Sequence, residues 1–230
     1  MFFLLLIGII IIFLKYIYDQ NQNNLEAEII EIQSLNRDTI LDNKQHKSPI
    51  LIHNHIQNFN HLDQLIKDNP GYMIEDKNKL ISFQSFAPSE NNLFIYQNKK
   101  IYDDLFNKEL NELSECFTDK LNCYYQYYIS LFKGNHYIQL TENKNDVFFL
   151  KPIENTIIVY LINPKHKTEI KDKDQQSIKK WSHRIELNEN NILFIPVNWF
   201  YFYETTNLKN TIIGSFHCDN YFTFLYNHLK

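Results

Sequence analysis

The sequence predicts a mainly β domain with flanking helices, an α+β arrangement whose strands close into a double-sheet roll or barrel. Three observations carry this. From Cys123 onward, eight short runs rich in β-branched and aromatic residues follow one another with short polar connections. Before Cys123 the pattern is mixed, with isolated strand-like runs between helical ones. Aromatic content is 15% while the whole chain holds only 4 Gly, so core-forming residues are plentiful and glycine-built phosphate loops are not.

In chain order, Phe2 to Leu14 is an unbroken apolar run, followed by Lys15 and then Tyr16, Ile17 and Tyr18. At 1.5 Å per residue, about 17 residues span only roughly 25 Å, which makes a marginal transmembrane helix with Lys15 snorkelling. No basic residue precedes the run and no small pair follows it, so an uncleaved anchor over residues 1–18 is favoured above a cleaved secretory signal or a buried core helix. Lys15 on the C-terminal flank favours a cytosolic domain, and the chain has no Asn-x-Ser/Thr sequon. Residues 19–24 read as a polar linker, and the folded domain as 25–230.

Within that domain, Glu28 to Leu35 reads as a first strand or amphipathic turn and Arg37 to Asn43 as a short helix. A strand follows Pro49, and a helix from about Asn60 to Asp68 is stopped by Pro70 and Gly71. Leu80 to Phe83 and Leu93 to Tyr96 are further strands. Leu105, Phe106, Leu110, Leu113 and Phe117 recur at helical spacing, the mark of one buried face over Tyr102 to Phe117. The eight β runs are Tyr124 to Phe132, Tyr137 to Leu140, Val147 to Leu150, Thr156 to Ile162, Arg184 to Leu187, Ile192 to Ile195, Trp199 to Tyr203 and Thr211 to Phe216. Lys165 to Lys180, with its mixed charges, reads as a solvated loop between strands.

Composition excludes several functions. Gly71, Gly134 and Gly214 lie too far apart for a Walker loop, a dinucleotide fingerprint or a nucleophile elbow. A net charge of -4 and a pI near 6.1 offer nothing to draw the chain onto nucleic acid. Cys116, Cys123 and Cys218 are odd in number and lack Cys-x-x-Cys spacing, so they read as free thiols rather than a disulfide framework or zinc site.

The most informative stretch runs from His183 to Tyr203. Two apolar runs flank a polar turn at Glu189, Asn190 and Asn191, and the second breaks at Pro196 before an aromatic run resumes. Ile192-Leu193-Phe194-Ile195-Pro196-Val197-Asn198-Trp199-Phe200-Tyr201, with the strand and turn before it, resembles the final hairpin of JmjC-type cupin-like domains. Ile29 to Phe59, with Lys47-Ser48-Pro49-Ile50-Leu51-Ile52, resembles the entry segment of the same family. The resemblance covers roughly residues 26 to 225 and is most specific over Ile192 to Trp199. It implies a double-stranded β-helix, the cupin-like jelly roll.

It also implies a site. Active members of the family hold Fe(II) with a His-x-Asp/Glu pair on an earlier strand and a His just after the tryptophans, and use 2-oxoglutarate to activate oxygen. Two imidazoles and one carboxylate occupy one face of iron and leave three positions for cosubstrate and oxygen. Matched position by position, the last His falls on Tyr201 and the His-x-Asp pair on Thr141-Glu142-Asn143, with Val147-Phe148-Phe149 as landmark. The family's Gly-Asp turn becomes Asn190-Asn191, which tolerates positive φ. No metal or cofactor is therefore expected, and Thr141, Asn143 and Tyr201 become vestigial ligand positions lining the barrel mouth. Other residues offer weaker rescues. His53 and His55 fall on one strand face; His217-Cys218-Asp219 spells His-x-Asp on the last strand; His136 precedes Thr141; Glu142 is a carboxylate on the opposite face from Thr141 and Asn143.

The resulting expectation is a membrane-anchored, catalytically degenerate cupin-like domain that binds or scaffolds, contacting the membrane through residues 2–18 and a small molecule or protein through the barrel mouth. The alternatives are an Fe(II)/2-oxoglutarate oxygenase with atypical ligands and a structural membrane protein without ligand.

Overall fold

The computed structural model describes residues 2–21, 24, 26–56, 59, 61–76, 79–86, 93–205 and 210–229. The expected domain start at Leu25 and helix start at Asn60 lie outside them.

Helix α1 (Phe2–Asn21) overturns the expected membrane anchor: among the described residues no helix is long and apolar enough to cross a membrane. The physical reason is in its sequence. The unbroken apolar run ends at Leu14, about 20 Å of helix against roughly 30 Å of hydrocarbon, and Lys15 and Asp19 follow within the same helix. Its last turns are committed to the domain. Phe13 and Tyr16 pack on Phe222, with ring centroids 6.3 and 4.9 Å away, and the Tyr16 hydroxyl accepts from Asn220 Nδ2 at 2.8 Å. A single-pass anchor with a cytosolic domain behind it is not supported. The outer face of α1, Leu4, Leu5 and Ile11 among it, is exposed.

Strand β1 (Ile30–Ile32) pairs in parallel with β2 (Ile50–Ile52), and α2 (Arg37–Gln45) bridges them. The Asn36 side chain caps α2 by accepting from Thr39 N. Next come α3 (Leu62–Asp68) and a hairpin of β3 (Met73–Asp76) with β4 (Lys79–Ser82). Strand β5 (Leu93–Asn98) then leads into α4 (Lys99–Ile101), a widened π turn at Tyr102–Phe106, and α5 (Asn107–Ser114). The helical spacing at Leu105 to Leu113 thus spans a π turn and a helix rather than one uniform element.

The eight later strands are β6 (Asn122–Lys133), β7 (Tyr137–Glu142), β8 (Val147–Glu154), β9 (Ile157–Ile162), β10 (His183–Leu187), β11 (Ile192–Phe194), β12 (Phe200–Thr205) and β13 (Asn210–Asn220). All their pairings are antiparallel: β6 with β13, β7 with β12, β8 with β11 and β9 with β10. Four strands run out and four return, as one long hairpin wrapped on itself. Wrapping divides them between a sheet ordered β1-β2-β11-β8-β13-β6-β5 and a sheet ordered β10-β9-β12-β7. This is the cupin-like double-stranded β-helix, within an α+β chain.

Burial explains the strand sequences. In β8, Phe148 and Leu150 point between the sheets, toward Val159, Leu161, Tyr201 and Tyr203. Val147, Phe149 and Ile153 point the other way, toward Leu110 and Phe117 beneath the helical layer. A strand buried on both faces loses alternation, so Lys151 and Pro152 sit in a run that reads like a helix or a strand end. Pro152, which has no N–H to donate, is accommodated where β13 shifts register between Ile212 and Ile213.

Two further expectations are corrected. Residues 165–180 are not simply a solvated loop. Pro164–His166, α6 (Lys167–Ile170) and α7 (Gln175–Lys179) bury Ile170 and Ile178 against Tyr160, Ile162, Phe200 and Phe202 on the outer face of the smaller sheet. The turn after β10 needs no positive φ at Asn190 or Asn191; Asn190 N donates to Asn188 Oδ1 at 2.9 Å instead. The left-handed residue lies further on, at Asn198 with φ 68. After β13, α8 (Tyr221–Leu229) closes the chain and receives α1.

Candidate functional site

The register of β7 against β12 decides where the three matched positions fall. Tyr201 lies opposite Thr141 and Phe200 opposite Glu142. One residue on, Asn143 N donates to Trp199 O at 2.8 Å and Asn198 N donates to Asn143 O at 2.7 Å. Thr141, Asn143 and Tyr201 therefore share one rim of the roll, where β7 ends and β12 begins.

Their side chains have different tasks. Thr141 is exposed and donates its hydroxyl to Gln139 O at 3.1 Å. Asn143 is 3% exposed, and its amide clamps two loops: Nδ2 donates to Ile195 O at 2.8 Å and to Asn145 O at 3.2 Å, while Oδ1 accepts from Asn145 N at 3.0 Å. Tyr201 is 2% exposed and points inward, 4.8 Å from the Phe148 ring, with its hydroxyl bonded to Tyr96. Burial, with Tyr96 beside it, holds the Tyr201 phenol well above its ordinary pKa. Deeper still, the Tyr203 phenol is held up by burial next to Tyr96 and Tyr201 and bonds Ser130.

The imidazoles are dispersed. His136 precedes β7, at the other end of that strand from Thr141; its Nε2 donates to Lys133 O at 2.8 Å and its ring packs on Phe94 and Phe132. His53 and His55 do not share a strand face, because β2 ends at Ile52 and Asn54 turns left-handed at φ 56. His53 instead meets Glu31 at 3.1 Å and Asn191 at 3.2 Å. Glu142 faces outward and pairs with Lys167 at 3.0 Å.

Among the described residues, His217 is the one imidazole inside the roll. Its ring lies 4.6 Å from Phe148 and 5.5 Å from Tyr128. Asn145 joins it to Asp219: Oδ1 meets His217 Nδ1 at 3.1 Å, and Nδ2 donates to Asp219 Oδ2 at 3.3 Å. An amide that gives its N–H to Asp219 must accept from His217, so Nδ1 carries the imidazole proton and Nε2 accepts from Gln97 Nε2 at 3.3 Å. Burial pulls the His217 pKa down to about 4, whereas burial raises that of Asp219. Only the His-x-Asp spelling hinted at this chain; Asn145 comes from another part of the sequence, and the loop that delivers it was not legible.

These residues do not fit an Fe(II) centre. At the matched positions stand a hydroxyl, an amide bound to backbone and an un-ionised phenol, none of which replaces imidazole or carboxylate as an iron ligand. His217 and Asp219 are held apart by an amide between them. Among the described residues no group of three His, Cys, Asp or Glu is placed to hold a metal. Cys116, Cys123 and Cys218 are free thiols, the first two partly exposed.

On the outside of the same rim, α1, α2 and the loop after β11 enclose a cavity of about 420 Å³. Lys44 and Lys47 meet Asp19, Asp119 and Asp146 there, over an apolar floor that includes Phe194 and Pro196. Lys44 pairs with Asp146 at 2.8 Å and with Asp119 at 3.5 Å.

No family model and no curated protein matches the sequence. Among solved structures the chain is similar to the cupin domain of Cnp3 from Schizosaccharomyces pombe, at 8% identity and a TM-score of 0.34. That similarity covers 49% of this chain and 65% of the other. A likeness this weak carries no argument, and the cupin-like assignment stands on the strand pairing given above.

Proposed function

We propose that this chain is a non-catalytic binding or scaffolding module on a cupin-like roll of JmjC type whose metal-ligand positions have been given over to structure. The observation that carries the reading is Asn143. Where the family resemblance asks for a carboxylate on iron, this side chain spends its amide on Ile195 and Asn145 and so holds the rim closed. Tyr201, where the last imidazole is asked for, packs inward on Phe148 and supports the same reading.

The test is chemical. The full chain is mixed with Fe(II) and 2-oxoglutarate without oxygen, and air is then admitted. We expect no metal-to-ligand absorption band and no succinate above the protein-free control. A band at stoichiometric iron, followed by succinate release in air, overturns the reading in favour of an oxygenase with atypical ligands.

A further inference from the structure

We infer that α1 is a self-association surface, whose outward apolar stripe packs against the same stripe of a second copy of this chain. The inference goes beyond the reading of the roll as a binding or scaffolding module and does not depend on the rim.

The stripe is set by sequence spacing. Leu4, Ile7, Ile11, Leu14 and Tyr18 follow one another at alternating three- and four-residue steps, which place them along one line of the helix. Phe13 and Tyr16, which dock on Phe222 of α8, lie on the opposite side. The stripe therefore faces away from the domain, and its members are 73, 38, 60, 58 and 63% exposed in that order. No charged residue precedes Lys15. Tyr221 and Leu225, one turn apart on the helix that receives α1, add to the exposed apolar face.

A helix that is apolar all round is one that something covers. Area and charge favour a second copy as the cover. Between Phe3 and Tyr18, eleven large apolar residues are 38 to 73% exposed. Fully burying one such side chain removes roughly 60–120 Å² from water, so at these exposures they offer roughly 400–700 Å² per copy. Two copies reach roughly 800–1,400 Å², which meets the roughly 1,200–2,000 Å² of a stable interface. A lipid surface is the poorer match, because helices that lie on membranes carry a polar face rich in Lys and Arg, whereas α1 has one Lys, Lys15, with Asp19 one turn on. A second copy brings the same uncharged stripe, and a two-fold axis makes the two stripes self-complementary.

The experiment is sedimentation of the full chain at about 1–100 μM, a range that reaches micromolar association. A dimer is expected, at twice the 27.8 kDa of one chain. The double variant Leu4→Glu/Ile11→Glu places four carboxylates in the seam of a dimer and should raise the dissociation constant at least about 100-fold. Both positions are exposed in the single chain, so circular dichroism and urea unfolding should match wild type. Leu5→Glu/Ile12→Glu charges a different side of α1 and should dimerise like wild type. A monomer at every concentration, assembly that grows past the dimer without limit, or equal weakening by the two double variants overturns the proposal. A chain that is monomeric in buffer and sediments with phosphatidylcholine vesicles also overturns it, in favour of lipid. None of these outcomes bears on the iron test.

Discussion

Replacing His217 with Gln tests the interior polar chain, because the imidazole is held neutral there. Its folded pKa is about 4 against an ordinary value of 6.5, with burial against Phe148 and Tyr128 as the cause. The folded state therefore disfavours the protonated form. The stability tied to the neutral ring is fully present above pH 6.5 and is lost as pH falls from 6.5 toward 4. A shift of this size corresponds to about 3 kcal/mol over the whole window, and to about 2 kcal/mol between pH 7 and pH 5. Asp219, raised by burial, titrates in the opposite sense, so the difference between wild type and His217→Gln isolates the ring. Gln retains an N–H for Asn145 Oδ1 and has no proton to gain in this range. Urea unfolding at pH 7 and pH 5 measures both. Wild type should lose about 2 kcal/mol more than the variant on acidification; equal losses, within about 0.5 kcal/mol, would refute a buried neutral imidazole.

Lys151 is 0% exposed and donates to the backbone carbonyls of His55 and Glu189, yet burial brings its pKa down to about 8. Its cation is penalised in the fold, so stability should rise by about 1 kcal/mol from pH 7 to pH 9, and Lys151→Met should flatten that rise in urea titrations. Asn143→Ala removes the clamp between the two rim loops and leaves the buried Ile195 carbonyl without its donor. It should cost about 1–3 kcal/mol in thermal unfolding and speed amide exchange at Asn145.

Much of the roll was legible because its strands carry β-branched and aromatic residues between polar connections, and all eight strand positions from β6 to β13 can be read along the chain. Their lengths were less legible. β8 was expected to end at Leu150 because Lys151 and Pro152 look like a boundary, whereas the strand runs on to Glu154 with both faces covered. The 165–180 segment differs from its loop pattern for the converse reason: two isoleucines, Ile170 and Ile178, are enough to dock two short helices, but mixed charge dominates the local pattern. Strand β3 and helix α8 gave too short a signal to be read. The interior chain through Asn145 depends on which loop meets which strand, and periodicity carries no such information.

The residues of the stretch from Ile192 to Tyr201, where the sequence pattern is most specific, are accounted for by packing. Ile192 and Phe194 enter the core beneath the helices, while Leu193 and Ile195 enter the core between the sheets. Trp199 is 1% exposed and ties the start of β12 to Lys47, where the chain turns into β2. Asn198, left-handed, donates to Asn143 O and locks the loop to the end of β7. Each of these needs only the shape of the roll. The packing of this stretch therefore follows from the roll alone, and by itself it implies no chemistry at Thr141, Asn143 and Tyr201.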